Sequence, residues 1–162
     1  RNTFGPVFQD HGVDVVYSGH AHSYERSWYL HGHFGMADSF DTAAHAEPDR
    51  TGKPALGQGE EPYRQVSRAS GADDRVVYTV AGSAGKADTA RPCRPGQRMM
   101  CSDESWLAHP AHRSFGGDEP GHRPHGLALK GSVVLDAGDK TLRSRFVDEH
   151  GAVLDEFTIT RE

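Results

Sequence analysis

Two histidines separated by one residue, His20 and His22, stand directly after the apolar run VDVVYSG and directly before SYER. Imidazole nitrogens bind zinc, iron, manganese and similar metals, so a pair this close can serve one ion or two adjacent ions. Spacing alone says little in a chain with 11 histidines. His31 and His33 repeat the HxH pattern, and His109 with His112 and His122 with His125 form looser pairs. The setting is what distinguishes the first pair. Val13 to Tyr17 is rich in β-branched residues and bounded by glycines, the pattern of a short strand buried on both faces. A strand ending in Ser18-Gly19 delivers the next residues to the carboxyl edge of a sheet, where ligands bind in open α/β folds. Gly19 reads as the position where a Cβ would obstruct the turn.

The elements that must hold this edge lie on either side of it. Thr3 to His11 carries Phe4, Val7 and Phe8 at helical spacing, with Pro6 near the start and Gly12 as the stop. Asp10 and Asp14 then belong to the helix and the strand, and His11 is a cap or surface residue. A helix followed by a buried strand is the grammar of an α/β layer. Residues 36–74 are rich in Gly, Pro, Asp and Ser without periodicity and read as a long surface excursion. Arg75 to Ala81 (RVVYTVA) is a strong strand that ends at GSAGK. Towards the C-terminus, Ser132 to Leu135, Thr141 to Val147 and Val153 to Ile159 are strands joined by the turn sequences AGDK and DEHG, an antiparallel meander.

A second polar stretch covers residues 87–125. Cys93 and Cys101 within it are either a local disulfide or two free thiols. The run HPAHRSFGGDEPGHRPHG reads as a histidine-bearing loop or as a separate metal site. Trp28 and Tyr29 are expected to pack rather than bind substrate, and Trp106 is open between the two roles.

Composition limits the classes. A length of 162 residues suits one domain with its own core. The net charge of -5 argues against nucleic acid as a specific partner, which calls for a basic face. No apolar run approaches the roughly 20 residues of a membrane-spanning helix, so no membrane partner is expected. Arg1 is not followed by the basic and apolar regions of a signal peptide, and the chain reads as processed or as a fragment.

The string GHAHSYER, within FGPVFQDHGVDVVYSGHAHSYERSWYLHGHFG, resembles the closing metal motif of the calcineurin-like metallophosphoesterases. Within them it is most similar to the purple acid phosphatase group. VVYTVAGSAGK resembles that group's next strand and glycine-rich turn, and LKGSVVLDAGDKTLRSRFVDEHGAVLDEFTI its closing hairpins. The resemblance implies an α/β fold, the C-terminal portion of a metallophosphoesterase β-sandwich flanked by helices and ending in antiparallel hairpins. It implies hydrolysis of phosphate esters at a dinuclear centre, iron with zinc or manganese. His20 would bind the divalent ion and His22 its neighbour. Tyr24, Glu25 and Arg26 match the family string and are expected to orient ligands or to serve the structure, since a metal-bound imidazole needs its other nitrogen fixed.

His31 and His33 would either face substrate at the mouth of the site or be exposed turn residues. Gly82, Ser83, Gly85 and Lys86 would form either an anion-contacting turn or a plain strand-ending turn, because GSAGK does not match GxxxxGK[ST]. The family's other motifs lie upstream of GHxH and are absent from the residues before Gly19. Residues 1–162 are therefore expected to be a partial domain, inert alone, from a longer and exported parent, outside the cell or in the periplasm. Two other classes remain at this stage: a non-catalytic metal- or carbohydrate-binding module, and a degenerate structural remnant.

Overall fold

The computed structural model describes residues 3–65, 75–87, 109–116, 121–123 and 125–161. These residues are mostly β. Helix α1 (Phe4–Asp10) leads into β1 (Val15–Ser18), and β2 (Tyr24–Arg26) follows. A short 3-10 turn (Ala37–Ser39), helix α2 (Thr42–His45), β3 (Tyr63–Gln65) and β4 (Val77–Ala81) come next. The chain closes with β5 (His122–Arg123), β6 (Gly126–Leu127), β7 (Gly131–Ala137), β8 (Thr141–Asp148) and β9 (Val153–Arg161).

Two mixed sheets result, one of five strands in the order β1-β4-β2-β6-β5 and one of four in the order β3-β9-β8-β7. In the first, β1 and β4 are parallel and β2 runs antiparallel to β4. In the second, β7, β8 and β9 form the antiparallel meander expected from their turn sequences. The β8–β9 turn is closed by Asp148, whose Oδ1 accepts from the backbone N–H groups of His150 at 2.9 Å and Ala152 at 2.7 Å. Gly151 supplies the positive φ that this turn requires.

The sheets meet face to face. Tyr24 of β2 stacks on Phe146 of β8 with ring centroids 4.1 Å apart, and Tyr29 stacks on Tyr63 at 4.5 Å beside Val77, Phe157 and Ile159. Tyr17 of β1 reaches across to donate to Ser144 Oγ of β8 at 2.7 Å. On the other face of the first sheet, Phe8 of α1 lies against Tyr78, 6.5 Å between centroids.

Three expectations need correction. The strand after Gly12 is Val15–Ser18 and is half-buried to exposed rather than covered on both faces. Among the described residues it is an edge strand, paired with β4 alone. The expected excursion of residues 36–74 contains a strand, β3, whose parallel partner β9 lies at the far end of the sequence. Three residues long, it carries too little periodicity to be read locally. Helices contribute less than an α/β layer implies: α1 has seven residues and α2 four. Among the described residues no helix is long and apolar enough to cross a membrane. Cys93, Cys101 and Trp106 lie outside the described residues.

Candidate functional site

Because β1 and β4 are parallel and in register from Val15↔Val77 to Ser18↔Val80, they end side by side. The segments that leave them, Gly19 to His22 and Gly82-Ser83, are therefore neighbours at one sheet edge. The first is a three-residue γ-turn, with the Ala21 N–H donating to the Gly19 carbonyl at 3.1 Å. His20, at its centre, has φ +76°, the one positive φ at a non-glycine residue among the described residues. A γ-turn of this hand is rare and strained, and such strain persists where surrounding structure over-determines it.

That surrounding structure is visible. Gly82 N–H donates to the Ser23 carbonyl at 3.1 Å. A Cβ built on Gly82 would sit 2.0 Å from the Ala21 carbonyl oxygen, so only glycine fits there. Gly19, by contrast, is open: a Cβ there meets nothing within 4 Å and its φ is not positive. The constraint expected at Gly19 is thus carried by His20 and Gly82.

His20, at the centre of this turn, is exposed, and His22, directly after it, is half-buried. Among the described residues, no group of three or more His, Cys, Asp or Glu side chains is arranged to hold a metal ion. The two imidazoles can supply donors from one edge, but the described donor set does not complete a dinuclear centre.

The SYER string divides by strand alternation. Tyr24 and Arg26 point between the sheets. Arg26, fully buried, donates from Nε to Asp155 Oδ2 at 2.7 Å, from Nη2 to Asp155 Oδ1 at 3.0 Å, and from Nη1 to the Tyr63 hydroxyl at 2.8 Å. The Tyr24 hydroxyl donates to Asp155 Oδ2 at 2.8 Å, and Arg113 Nη1 adds a further ion pair to Asp155 Oδ1. Burial, then the Asp155 carboxylate, pushes the Tyr24 phenol well above its usual range, so it stays a donor. Burial alone would raise Asp155, but Arg26 and Arg113 outweigh it and hold the carboxyl below the ordinary range. Glu25 points the other way, accepting from Ser23 Oγ at 2.7 Å on Oε1 and facing His112 Nδ1 at 3.2 Å with Oε2.

The other candidates are dispersed. His33 is buried, with Nε2 3.1 Å from Ser39 Oγ and its ring 5.2 Å from Phe40 and 5.0 Å from His45. His31, half-buried, donates its backbone N–H to the His45 carbonyl at 3.0 Å. Neither is the exposed turn residue that the LHGHFG string suggested. Ser83 is fully buried and its hydroxyl has no hydrogen-bond partner among the described residues, whereas Gly85 and Lys86 are exposed. Trp28 and Tyr29 pack as expected, Tyr29 on Tyr63 and Trp28 beside Leu30, Ala46 and Ala111.

Asp155 was not singled out from sequence, and His112 was noticed only as one member of a loose histidine pair in the HPAHRSFGGDEPGHRPHG run. Asp155 could have been found, because the alternation of β9 puts it in register with Phe157 and Ile159 on the inward face. An acid at such a position needs a buried cation. The approach of His112 to Glu25 had no local signal, since Glu25 lies on a distant strand.

No protein-family model matches this chain. No curated protein matches it either. A purple acid phosphatase isolated from yellow lupin (Lupinus luteus) seeds is similar in fold. Its structure aligns with TM-score 0.53 and 16% identity, covering 100% of this chain and 20% of the phosphatase chain. The chain thus spans about a fifth of the length of that enzyme, and at this identity the likeness is one of fold.

Proposed function

We propose that this chain provides the closing metal edge of a phosphoric-ester hydrolase of the purple acid phosphatase kind. The observation that carries the reading is the strained His20 turn, in the string GHAHSYER, at the shared end of two parallel strands. The fold likeness to a phosphatase supports it. His20 and His22 are the proposed ligands, with His20 facing the divalent ion and His22 its neighbour. The further ligands of such a centre lie outside the described residues, and the proposal takes this chain as part of a longer, exported parent. Iron with zinc or manganese is the proposed pair, and phosphate esters are the substrate class.

A dinuclear centre supplies a clamp for phosphoryl oxygens and a water of lowered pKa. This chain's part is to hold imidazoles. The γ-turn projects His20 from the sheet edge, Gly82 fixes the turn from below, and the Arg26–Asp155 network locks the strand that follows His22. The proposed role of Tyr24 and Arg26 is accordingly structural, and Ser83 with its glycine-flanked turn borders the edge.

Incubation of the purified chain with iron, zinc and manganese, followed by an assay of p-nitrophenyl phosphate hydrolysis, tests the incompleteness of the site. No turnover is expected; robust turnover would refute it. In the longer parent, His20→Ala and His22→Ala should each abolish hydrolysis. Unchanged activity in both would leave a non-catalytic sandwich module as the reading.

A further inference from the structure

Among the described residues the two sheets end in four edge strands, and one of them differs from the rest. β1 has four residues, β5 two and β3 three, whereas β7 has seven. Very short edge strands are one way a protein avoids pairing with a neighbour; lysine, proline, bulges and charges on the inner face are others. β7 has none of them. Its sequence, GSVVLDA, holds no lysine or proline, and its register with β8 runs unbroken from Gly131↔Asp148 to Ala137↔Leu142. Its one charge, Asp136, is held by Arg145 Nη2 at 2.7 Å within the same sheet.

Strand alternation fixes what this edge offers. The Gly138 N–H donates to the Thr141 carbonyl at 2.7 Å, so Asp136, Val134 and Ser132 are the next residues to exchange hydrogen bonds with β8. The backbone groups of Gly131, Val133, Leu135 and Ala137 point away from β8, spaced symmetrically about Val134. Side chains alternate too, with Val133 and Leu135 on the inner face and Val134 on the outer one. Val133 packs beside Tyr24, Leu127 and Phe146, but Leu135 is 45% exposed and Val134 40%. An edge paired on one side and two exposed apolar side chains therefore meet on one strand.

We propose that β7 pairs antiparallel with β7 of a second copy about a two-fold axis through Val134, joining the two four-stranded sheets into one of eight strands. In that register Val133 faces the partner's Leu135 and Gly131 the partner's Ala137, and each of these pairs exchanges backbone hydrogen bonds. Val134 meets the partner's Val134 in a pair without hydrogen bonds, where side chains stand closest. Asp136 falls opposite the partner's Ser132, so no like charges are opposed and the ion pair to Arg145 is kept. The match of this strand to itself selects a second copy over a foreign strand. Each copy supplies one β7 edge, so the assembly closes at two. A seven-residue edge contact is small against the roughly 1,600 Å² of a standard interface, which makes the dimer weak and concentration-dependent. The inference does not rest on the metal reading.

Sedimentation velocity of the 162-residue chain tests it between about 1 µM and about 1 mM, the range in which a weak interface associates. The apparent mass should rise about twofold across that range and go no further. Val134→Lys sets two ammonium groups against each other at the axis and should hold the chain monomeric, with unchanged β-sheet circular dichroism. Val153→Lys, at a residue of β9 that is 50% exposed but two strands from the edge, should associate as the parent does. Val134→Cys reads the register without adding charge. Under mild oxidation it should link two copies through residue 134, because a pair without hydrogen bonds holds its Cα atoms about 4.5 Å apart. Ser132→Cys should not link through residue 132, whose two copies stand about 14 Å apart along the strands. Peptide mass mapping separates these links from any through Cys93 or Cys101. If Val134→Lys loses its sheet signal, the two cysteine variants decide alone. A chain monomeric throughout, species that grow beyond two, association untouched by a folded Val134→Lys, or linkage at residue 132 as readily as at 134 would each overturn the proposal.

Discussion

Gly82 lies so close beneath Ala21 that any Cβ on it would sit 2.0 Å from the Ala21 carbonyl oxygen. The strand-ending turn of β4 is thereby the floor on which the histidine turn rests.

Gly82→Ala must displace the backbone of that turn, because the obstructing atom is a carbonyl and not the end of a flexible side chain. The expected cost is about 1–3 kcal/mol of stability, the range for overpacking. Chemical denaturation measures it, and histidine resonances of His20 and His22 should shift more than those of the distant His150. A variant as stable as the parent, with those resonances unmoved, would contradict the contact.

His20 carries strain that a glycine would not. His20→Gly should be more stable than His20→Ala by about 1 kcal/mol, the lower end of the cost of a non-glycine residue in a sparsely populated region. Both remove the imidazole. Paired denaturation curves decide it, and equal stabilities would mean that the turn relaxes without cost.

Much of this arrangement was legible in sequence, for identifiable reasons. The meander of β7, β8 and β9 is read from alternation and turn residues because its contacts are local. The pairing of β1 with β4 could be anticipated only as two strands each ending in glycine, since their parallel register spans the whole 36–74 segment. His20 and His22 stood out by their setting, a β-branched run and a glycine before them and SYER after them. The floor at Gly82 and the positive φ of His20 depend on non-local approach, which no spacing encodes. Arg26 was noticed as part of a string, but its role follows from Asp155, on the last strand.

Asp155→Asn leaves the buried Arg26 guanidinium without its counter-charge. Breaking a buried pair in this way costs about 3–5 kcal/mol. The carboxyl of Asp155 is held below its ordinary range in the folded chain. Its contribution is therefore present above the unfolded-state value and lost as pH falls through the folded one. The asparagine variant should show a shallower loss of stability in acid than the parent. A parallel acid dependence in both would mean that other carboxylates govern it.

Ser23 and Ser83 are both fully buried, yet their hydroxyls differ. Ser23 donates to Glu25 at 2.7 Å, whereas Ser83 has no partner among the described residues. Ser23→Ala should cost about 1–2 kcal/mol, while Ser83→Ala should be neutral or slightly stabilising. Thermal melts of the two variants compare them directly. A larger loss for Ser83→Ala would reveal a partner for that hydroxyl.

The central claim is that His20 and His22 are the metal-facing donors of this chain. Titration of the chain with zinc, followed by imidazole NMR resonances, tests it most directly. The account predicts that His20 and His22 shift first and together, with weak affinity, and that His20→Ala abolishes the response at His22. Shifts at other histidines with those two unmoved, or two tightly held ions per chain, would contradict it.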